Sequence, residues 1–168
     1  FSGGMPFIID SRRKQNTISS LLSSVLFSDV LCKHQVRDTA VLYDMAVDLV
    51  SRPGVEVSAT SLKGQHTRSI DQARSFLAYL EEVGLIYLVE RIEDRGRKIE
   101  ASRLCYPADT GLSNRLSAAD LSMDKLGESA VYQTIRRMGY PVRSFKIKDQ
   151  LGLAVEAANG TSGLMIIV

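Results

Sequence analysis

The sequence predicts an α+β protein with a winged helix-turn-helix at its centre. Three observations in residues 56–112 support this prediction. They are a short helix that stops at Gly64, a second helix with apolar residues three and four positions apart, and two strand-like segments around a charged loop. In chain order these are helix, turn, helix and β-hairpin. We therefore expect a module that either binds DNA or docks on another domain.

The turn residues support both helices of this unit. Ser58 can cap the first helix, and Gly64 permits the left-handed backbone that often ends a helix. Thr67 or Ser69 can cap the second helix, and Asp71 in its first turn suits the helix dipole. Four apolar residues at helical spacing should then share one buried stripe: Ile70, Ala73, Leu77 and Leu80.

A β-hairpin should follow the break at Gly84. Residues 86–91 include the β-branched residues that are typical of strands. Residues 93–98, with the sequence EDRGRK, are polar around a glycine and predict the hairpin loop. Residues 99–106 predict the returning strand, so Tyr87 and Ile99 should belong to paired strands.

Two further helices should precede the helix-turn-helix. The apolar face of the first consists of Thr17, Leu21, Leu22 and Val25. The second spans about residues 36–50, and its stripe consists of Val36, Ala40, Tyr43, Val47 and Val50. Pro53 cannot continue a helix and marks its end. We therefore divide this part of the chain into a helical linker at 1–34 and a winged helix-turn-helix at 35–106.

Residues 107–168 should form a third region that mixes helix and strand. Val131, Ile135 and Met138 are spaced as one helical face, which stops at Gly139. Strands are predicted at residues 142–148, 151–155 and 164–168, with turns at residues 149–150 and 159–160.

Several short blocks of residues occur in an order that is shared with a known family. They are Gly3-Gly4-Met5-Pro6, Ser69-Ile70 with Tyr79-Leu80-Glu81 and Leu85-Ile86, Tyr106 with Asp109-Thr110-Gly111-Leu112, and Gly127-Glu128 with Val131. Together they resemble the C-terminal half of a prokaryotic AAA+-type ATPase family that carries the domain of unknown function DUF4143. Asp29-Val30 is similar to the short linker of that family.

The resemblance implies a specific organisation for the full-length protein. A P-loop ATPase domain would lie upstream, residues 1–34 would be a linker or lid remnant, and residues 107–168 would be a restriction-endonuclease-like α/β unit. The upstream ATPase domain would then be a partner of this chain, and ATP and magnesium would bind there. Because the sequence starts at Phe1 without a methionine, we expect it to be a piece of a longer protein.

Catalysis within this chain is not expected. A P-loop requires Gly-x-x-x-x-Gly-Lys-Ser/Thr, and the sequence contains no such string. The resemblance implies metal-binding carboxylates at the positions where this chain has Leu151 and Leu153. A leucine side chain cannot bind a metal ion. Glu128 and Glu156 remain as isolated carboxylates. We therefore predict a degenerate nuclease-like unit, no enzyme activity and no cofactor in this chain.

The cysteines and histidines do not predict a metal centre. Cys32, His34, His66 and Cys105 lack the spacings of zinc sites. The sequence has neither a signal-peptide pattern at its start nor an apolar run long enough for a membrane span. We expect two reduced thiols and a cytoplasmic protein.

Two binding functions remain open. As a DNA-binding module of low sequence selectivity, the chain would use polar residues of the second helix and cations of the hairpin tip. These residues are Arg68, Ser69, Gln72, Arg74, Ser75, Arg95, Arg97 and Lys98. Acidic residues share the same surfaces, and 21 basic against 19 acidic residues give a net charge of only +2. We therefore favour a regulatory or docking role beside an ATPase domain or another protein, with DNA binding as the alternative.

Overall fold

Helices and antiparallel sheets alternate along the chain, which confirms the predicted α+β class. The computed structural model describes residues 14–91, 102–118, 120–147, 150–156 and 162–165. Within these residues there are two three-stranded sheets, one in the order β1-β3-β2 and the other in the order β4-β5-β6. The first sheet belongs to the central segment of the chain and the second to the C-terminal region.

The N-terminal helix is longer than the sequence predicts. Helix α1 (Lys14–Val25) continues through a π-helical segment (Leu26–Leu31) into the short helix α2 (Cys32–His34). Its buried residues are Ile18, Leu22, Leu26 and Val30, which recur every four residues.

One expectation for this segment is confirmed for the described residues, and one is wrong. Leu21 and Val25 are half-buried and pack against the core that contains Leu22, as expected for one helical face. Residues 29–30 are helical rather than a linker, since the chain does not leave its helical path until Gln35, at φ 48°. The side chain of Thr17 lies outside the described part of the model.

The central segment consists of α3 (Thr39–Ser51), β1 (Val55–Val57), α4 (Ala59–Leu62), α5 (Ile70–Glu82), β2 (Ile86–Val89) and β3 (Arg103–Pro107). The buried residues of α3 are Leu42, Met45, Ala46, Leu49 and Val50. The predicted α3 stripe is wrong at Ala40, which is exposed, and Val36 precedes the helix. The buried face is rotated because α3 packs against both β3 and a later helix, α6 (Thr110–Leu116).

Local hydrogen bonds form the turn between α4 and α5. Ser58 and Ser61 make a reciprocal capping box at the start of α4, with both backbone-to-hydroxyl distances at 3.0 Å. Gly64 adopts φ 96°, which a residue with a side chain rarely tolerates. Helix α5 then buries Ala73, Phe76, Leu77 and Leu80, which confirms the predicted stripe except for Ile70, which is half-buried.

The predicted hairpin is present as β2 and β3. These strands pair antiparallel, with Tyr87 opposite Tyr106. Strand β3 also pairs antiparallel with β1, and it therefore lies in the middle of the sheet. Strand β2 ends earlier than predicted, at Val89, and the predicted partner Ile99 lies outside the described residues.

The C-terminal region contains α7 (Met123–Arg137) and the strands β4 (Val142–Ile147), β5 (Gln150–Glu156) and β6 (Ser162–Met165). The three strands form an antiparallel meander close to the predicted positions. The predicted face of α7 is wrong, because Val131 and Met138 are 37% and 68% exposed. The buried residues are Leu126, Ser129, Tyr132, Gln133 and Ile135.

A second hydrophobic cluster explains this rotation of α7. Tyr132 stacks on Tyr106 of β3, and Val89, Leu104 and Leu153 complete the cluster. Gln133 donates a hydrogen bond to the carbonyl oxygen of Pro107 at 2.9 Å, so its amide is buried with a partner. Leu153, at one of the positions where the resemblance would place a carboxylate, is buried in this cluster, and the side chain of Leu151 is outside the described set.

Candidate functional site

The N-terminal end of α5 carries most of the described residues predicted to contact DNA. Ser69 is the N-cap of the helix, and its hydroxyl accepts a hydrogen bond from the backbone N–H of Gln72 at 3.1 Å. The side-chain oxygen of Gln72 accepts a hydrogen bond from the backbone N–H of Arg68 at 3.2 Å. The structure thus brings these three residues together, but two of them stabilise the start of the helix itself.

The amide of Gln72 is held at both ends. Its Nε2 donates to Oδ2 of Asp38 at 2.6 Å, while its Oε1 accepts from Arg68. Glutamine recognises adenine by offering both of these groups to the base edge. Gln72 would have to break two intramolecular hydrogen bonds, one of them to a carboxylate, before it could do so.

The outward face of α5 has no excess of cations. Nη1 of Arg74 lies 3.1 Å from Oδ1 of Asp71, and their side chains are 55% and 91% exposed. An exposed pair at this spacing contributes only about 0.2–0.5 kcal/mol. Ala78 is exposed on the same face, and Ser75 is half-buried beside it. Glu81 and Glu82 are also exposed toward the C-terminal end of α5, so the exposed residues of the helix include three acids and one base.

The predicted cations of the hairpin tip, Arg95, Arg97 and Lys98, lie outside the described residues. The base of the hairpin, by contrast, contacts the C-terminal sheet. The backbone N–H of Ser144 donates to the carbonyl oxygen of Glu90 at 2.7 Å, and Arg143 lies 3.6 Å from the Glu90 carboxylate. An isolated parallel bridge pairs Arg91 with Ser144. Strand β4 therefore extends along the outer edge of the hairpin at this point.

A cluster that the sequence analysis missed lies at the C-terminal end of α5. Nε2 of His34 is 2.9 Å from the Glu82 carboxylate, and Nζ of Lys33 is 3.4 Å from it. The His34 ring also stacks on Tyr79, with centroids 3.9 Å apart. The hydrogen bond from His34 is the main cause that lowers the pKa of Glu82, followed by the one from Lys33. The cluster joins α2 to α5. His34 and Glu82 are 48 positions apart in the sequence, so no local pattern indicates their contact.

A second missed cluster joins β3 to α7. The buried phenol of Tyr106 donates a short hydrogen bond to Glu128, and Lys125 donates to the same carboxylate at 2.8 Å. Burial, together with the bond to Glu128, raises the pKa of Tyr106 far above its usual range. Gly54, at φ 73°, approaches so closely that an added Cβ would lie 2.8 Å from Oε1 of Glu128. The carboxylate of Glu128 is thus bonded by Tyr106 and Lys125 and lies close to Gly54. These contacts attach α7 to the central segment.

An aromatic stack extends this contact toward the surface. Tyr106 and Tyr132 stack with centroids 4.3 Å apart, and Tyr87 contacts Tyr132 at 6.4 Å. The Arg136 guanidinium lies 3.5 Å above the centre of the Tyr87 ring, within the range of cation–π contacts. Burial raises the pKa of Tyr132 to about 12.

The residues considered for metal binding are dispersed. No group of three or more His, Cys, Asp or Glu side chains that could hold a metal ion occurs in the described part of the chain. Both cysteines are free, with Cys32 exposed and Cys105 buried, and burial raises the pKa of the Cys105 thiol to about 12. His66 instead lies 2.9 Å from Asp48 and links the turn before α5 to α3. None of the described helices is sufficiently long and apolar to cross a membrane.

Comparison with known proteins identifies one family. The model of a family described as a domain of unknown function, DUF8612, matches residues 1–125, from the start of the chain to the first turn of α7. No curated protein and no solved structure matches the chain. Because the match covers most of the 168 residues, the chain belongs to the DUF8612 family.

Proposed function

We propose that this chain is a docking module whose outward face of α5 binds a protein surface and thereby regulates an ATPase. The observation that carries the proposal is the engagement of Gln72 by Asp38 and by the Arg68 backbone. Together with the Asp71–Arg74 pair and the exposed Glu81 and Glu82, it leaves the face without an excess of cations and its main base-reading group occupied. A protein partner can bind such a face, whereas DNA phosphates require an excess of cations.

The order of elements supports a winged helix-turn-helix as the scaffold of this module. Helix α3 is followed by β1, α4, α5 and the β2–β3 pair, and β1 joins the edge of that pair. In this arrangement α5 is the helix that a DNA-binding relative would place in the major groove. We propose that here the same exposed helix contacts protein.

The ATPase partner follows from the sequence blocks that resemble the DUF4143-containing AAA+-type family. In this proposal the ATPase domain belongs to the full-length protein, and ATP and magnesium bind there. The chain itself does not hydrolyse ATP in this proposal, because its sequence has no P-loop string. It does not cleave nucleic acid, because Leu151 and Leu153 replace the expected carboxylates and Glu128 is engaged by Tyr106 and Lys125. Two free cysteines fit the reducing cytoplasm, where we place the protein. If the native protein carries no P-loop domain, the ATPase part of the proposal is wrong.

The test is calorimetric titration of the chain with the separately produced ATPase domain of the same protein. Ala78→Glu places a charge on the docking face and should weaken binding about tenfold or more. Ser20→Glu, at an exposed position of α1, is the matched control and should leave the affinity unchanged. Equal affinities for the two variants would contradict the use of α5 as the docking surface.

DNA binding is the second candidate, and one observation favours it. The Arg68 side chain is exposed next to the N-terminus of α5 and has no ion-pair partner among the described residues. With the predicted tip cations Arg95, Arg97 and Lys98, it would contact the phosphate backbone. Fluorescence anisotropy with a mixed-sequence duplex decides between the candidates. Steep salt dependence that Arg68→Ala reduces by about one unit of slope would favour DNA, and no binding at low salt would favour docking.

A further inference from the structure

Three of the contact residues on the inner face of α7 are regularly spaced. Glu128, Tyr132 and Arg136 follow each other at four-residue intervals, and at about 100° per residue they fall within an arc of about 80°. Glu128 accepts the hydrogen bond from the Tyr106 phenol, and Tyr132 stacks on the same ring with centroids 4.3 Å apart. Arg136 lies 3.5 Å above the centre of the Tyr87 ring. One stripe of α7 thus presents an acid, an aromatic ring and a cation to two tyrosines of the hairpin.

The two sides of this contact lie in different parts of the chain with respect to the family match. Tyr87 and Tyr106 belong to residues 1–125, which match the DUF8612 family, whereas the three contact residues of α7 lie beyond that segment. The hairpin therefore supplies a helix-binding surface within the family segment. Helix α7 shows which kind of helix fits that surface.

The contact has the character of an interface that forms and separates reversibly. A small cluster of buried residues, separate from the main core, lies at its centre: Val89, Leu104, Tyr106, Tyr132 and Leu153. Around it meet the phenol of Tyr106, the carboxylate of Glu128 and the amide of Gln133. Water can solvate all three groups when the helix leaves. Small, partly polar interfaces within one chain resemble those of transient complexes, and their two sides can move apart.

We propose that the Tyr87–Tyr106 face of the hairpin is a docking site for a helix of a partner protein, and that α7 occupies this site within the chain as a releasable cover. The partner helix carries a glutamate, an aromatic residue and an arginine at positions i, i+4 and i+8, because these are the groups that the face binds in α7. The partner binds only when α7 has left, so the cover lowers its apparent affinity. This site is separate from the docking face of α5 and does not depend on the proposed ATPase partner.

The three positions of the partner helix should differ in importance. A helix without the acid leaves the buried phenol of Tyr106 without an acceptor, and an unpaired buried donor is more costly than the bond itself is favourable. A helix without the aromatic residue loses the stack on the same ring. A helix without the arginine loses only the cation–π contact at the half-buried Tyr87. We therefore expect the acid and the aromatic residue to determine binding and the arginine to add to it.

The experiment measures the binding of a fluorescent peptide with the sequence of residues 121–140 to the 168-residue chain by fluorescence anisotropy. Tyr132→Ser in the chain removes the stack that holds α7, so the peptide should bind this variant about tenfold or more tightly than it binds the wild type. Arg136→Ala removes a contact at the edge of the site and should give an intermediate affinity. Val131→Ser, on the exposed side of the same helix, is the matched control and should bind the peptide as the wild type does.

A second peptide, with alanine in place of its glutamate, tyrosine and arginine of the stripe, tests the recognition and should not bind the Tyr132→Ser chain. Hydrogen exchange of that chain should increase in α7 while α3 and α5 stay protected, as expected for release without unfolding. The proposal is overturned if the Tyr132→Ser and wild-type chains bind the first peptide equally, or if both peptides bind alike. If Tyr132→Ser unfolds throughout, Arg136→Ala decides, and binding no tighter than to the wild type then overturns the proposal. Ala78→Glu should leave peptide binding intact, which separates this result from the docking test on α5.

Discussion

The central segment and the contact of α7 with it are stabilised by different kinds of interaction. The interior of the central segment is mostly aliphatic, and its helices start at caps that lie next to them in the sequence, such as Ser58 and Ser69. The α7 contact is aromatic and polar, and it depends on hydrogen bonds between distant residues, such as Tyr106 with Glu128. Truncation of a side chain in the central segment should therefore reduce packing energy. Substitution in the α7 contact should instead leave polar groups without hydrogen-bond partners.

The largest effect should come from the aliphatic interior. Leu77 is 1% exposed in the main core, and Leu77→Ala should lower the free energy of unfolding by about 2–5 kcal/mol because it leaves a cavity. Urea denaturation followed by circular dichroism measures this loss. Phe27→Ala, at a side chain that is 65% exposed, should change stability by about 0.5 kcal/mol or less. Similar losses in the two variants would contradict the buried position of α5.

A smaller effect should come from the α7 contact. Tyr106→Phe keeps the ring stack with Tyr132 but removes the donor to Glu128. The partly buried carboxylate keeps Lys125, so we expect a loss of about 1–3 kcal/mol. Urea denaturation is again the measurement, and Tyr87→Phe is the control on the same stack. If Tyr106→Phe is as stable as the wild type, the hydrogen bond to Glu128 contributes nothing to the contact.

The smallest effect should come from the exposed cluster at Glu82, and it should depend on pH. The pKa of Glu82 is lowered in the folded chain from its ordinary value of 4.5, mainly by His34 and then by Lys33. Its contribution to stability is therefore complete above the unfolded pKa and is lost as the pH falls through the folded pKa. Glu82→Gln should have a lower melting temperature than the wild type at pH 6, and the difference should disappear toward pH 2. A difference that does not change with pH would contradict this ionic role.

The same contrast explains how much of the structure the sequence could predict. The caps, Gly64 and the stripe of Ala73, Leu77 and Leu80 are local signals, and they predicted α4, α5 and the following hairpin. The buried face of α7 could not be predicted from apolar spacing, because Ser129 and Gln133 are buried with hydrogen-bond partners while Val131 and Met138 are exposed.

The candidate site was predictable only as a set of residues near one helix end. Arg68, Ser69 and Gln72 are adjacent because they belong to the first turn of α5 or precede it. The engagement of Gln72 by Asp38 spans 34 residues, and no local pattern indicates it. His34 and Glu82 are 48 positions apart, and Tyr106 and Glu128 are 22 positions apart, so no local pattern indicates these pairs either. Ser69 and Gln72, which were predicted to bind DNA, are thus engaged in hydrogen bonds within the chain itself.

The hydrogen bond from the backbone N–H of Ser144 to the carbonyl oxygen of Glu90 restricts movement of the hairpin about its base. A hairpin held only by its own two strands can move about its base. Here β4 also holds the base, through Ser144, which lies 54 positions after Glu90 in the chain. A displacement of the hairpin would therefore pull on the C-terminal sheet. Removal of β4 would free the carbonyl of Glu90, which directly follows β2, and this group could then pair with another strand. The C-terminal sheet thus fixes the base of the hairpin at Glu90.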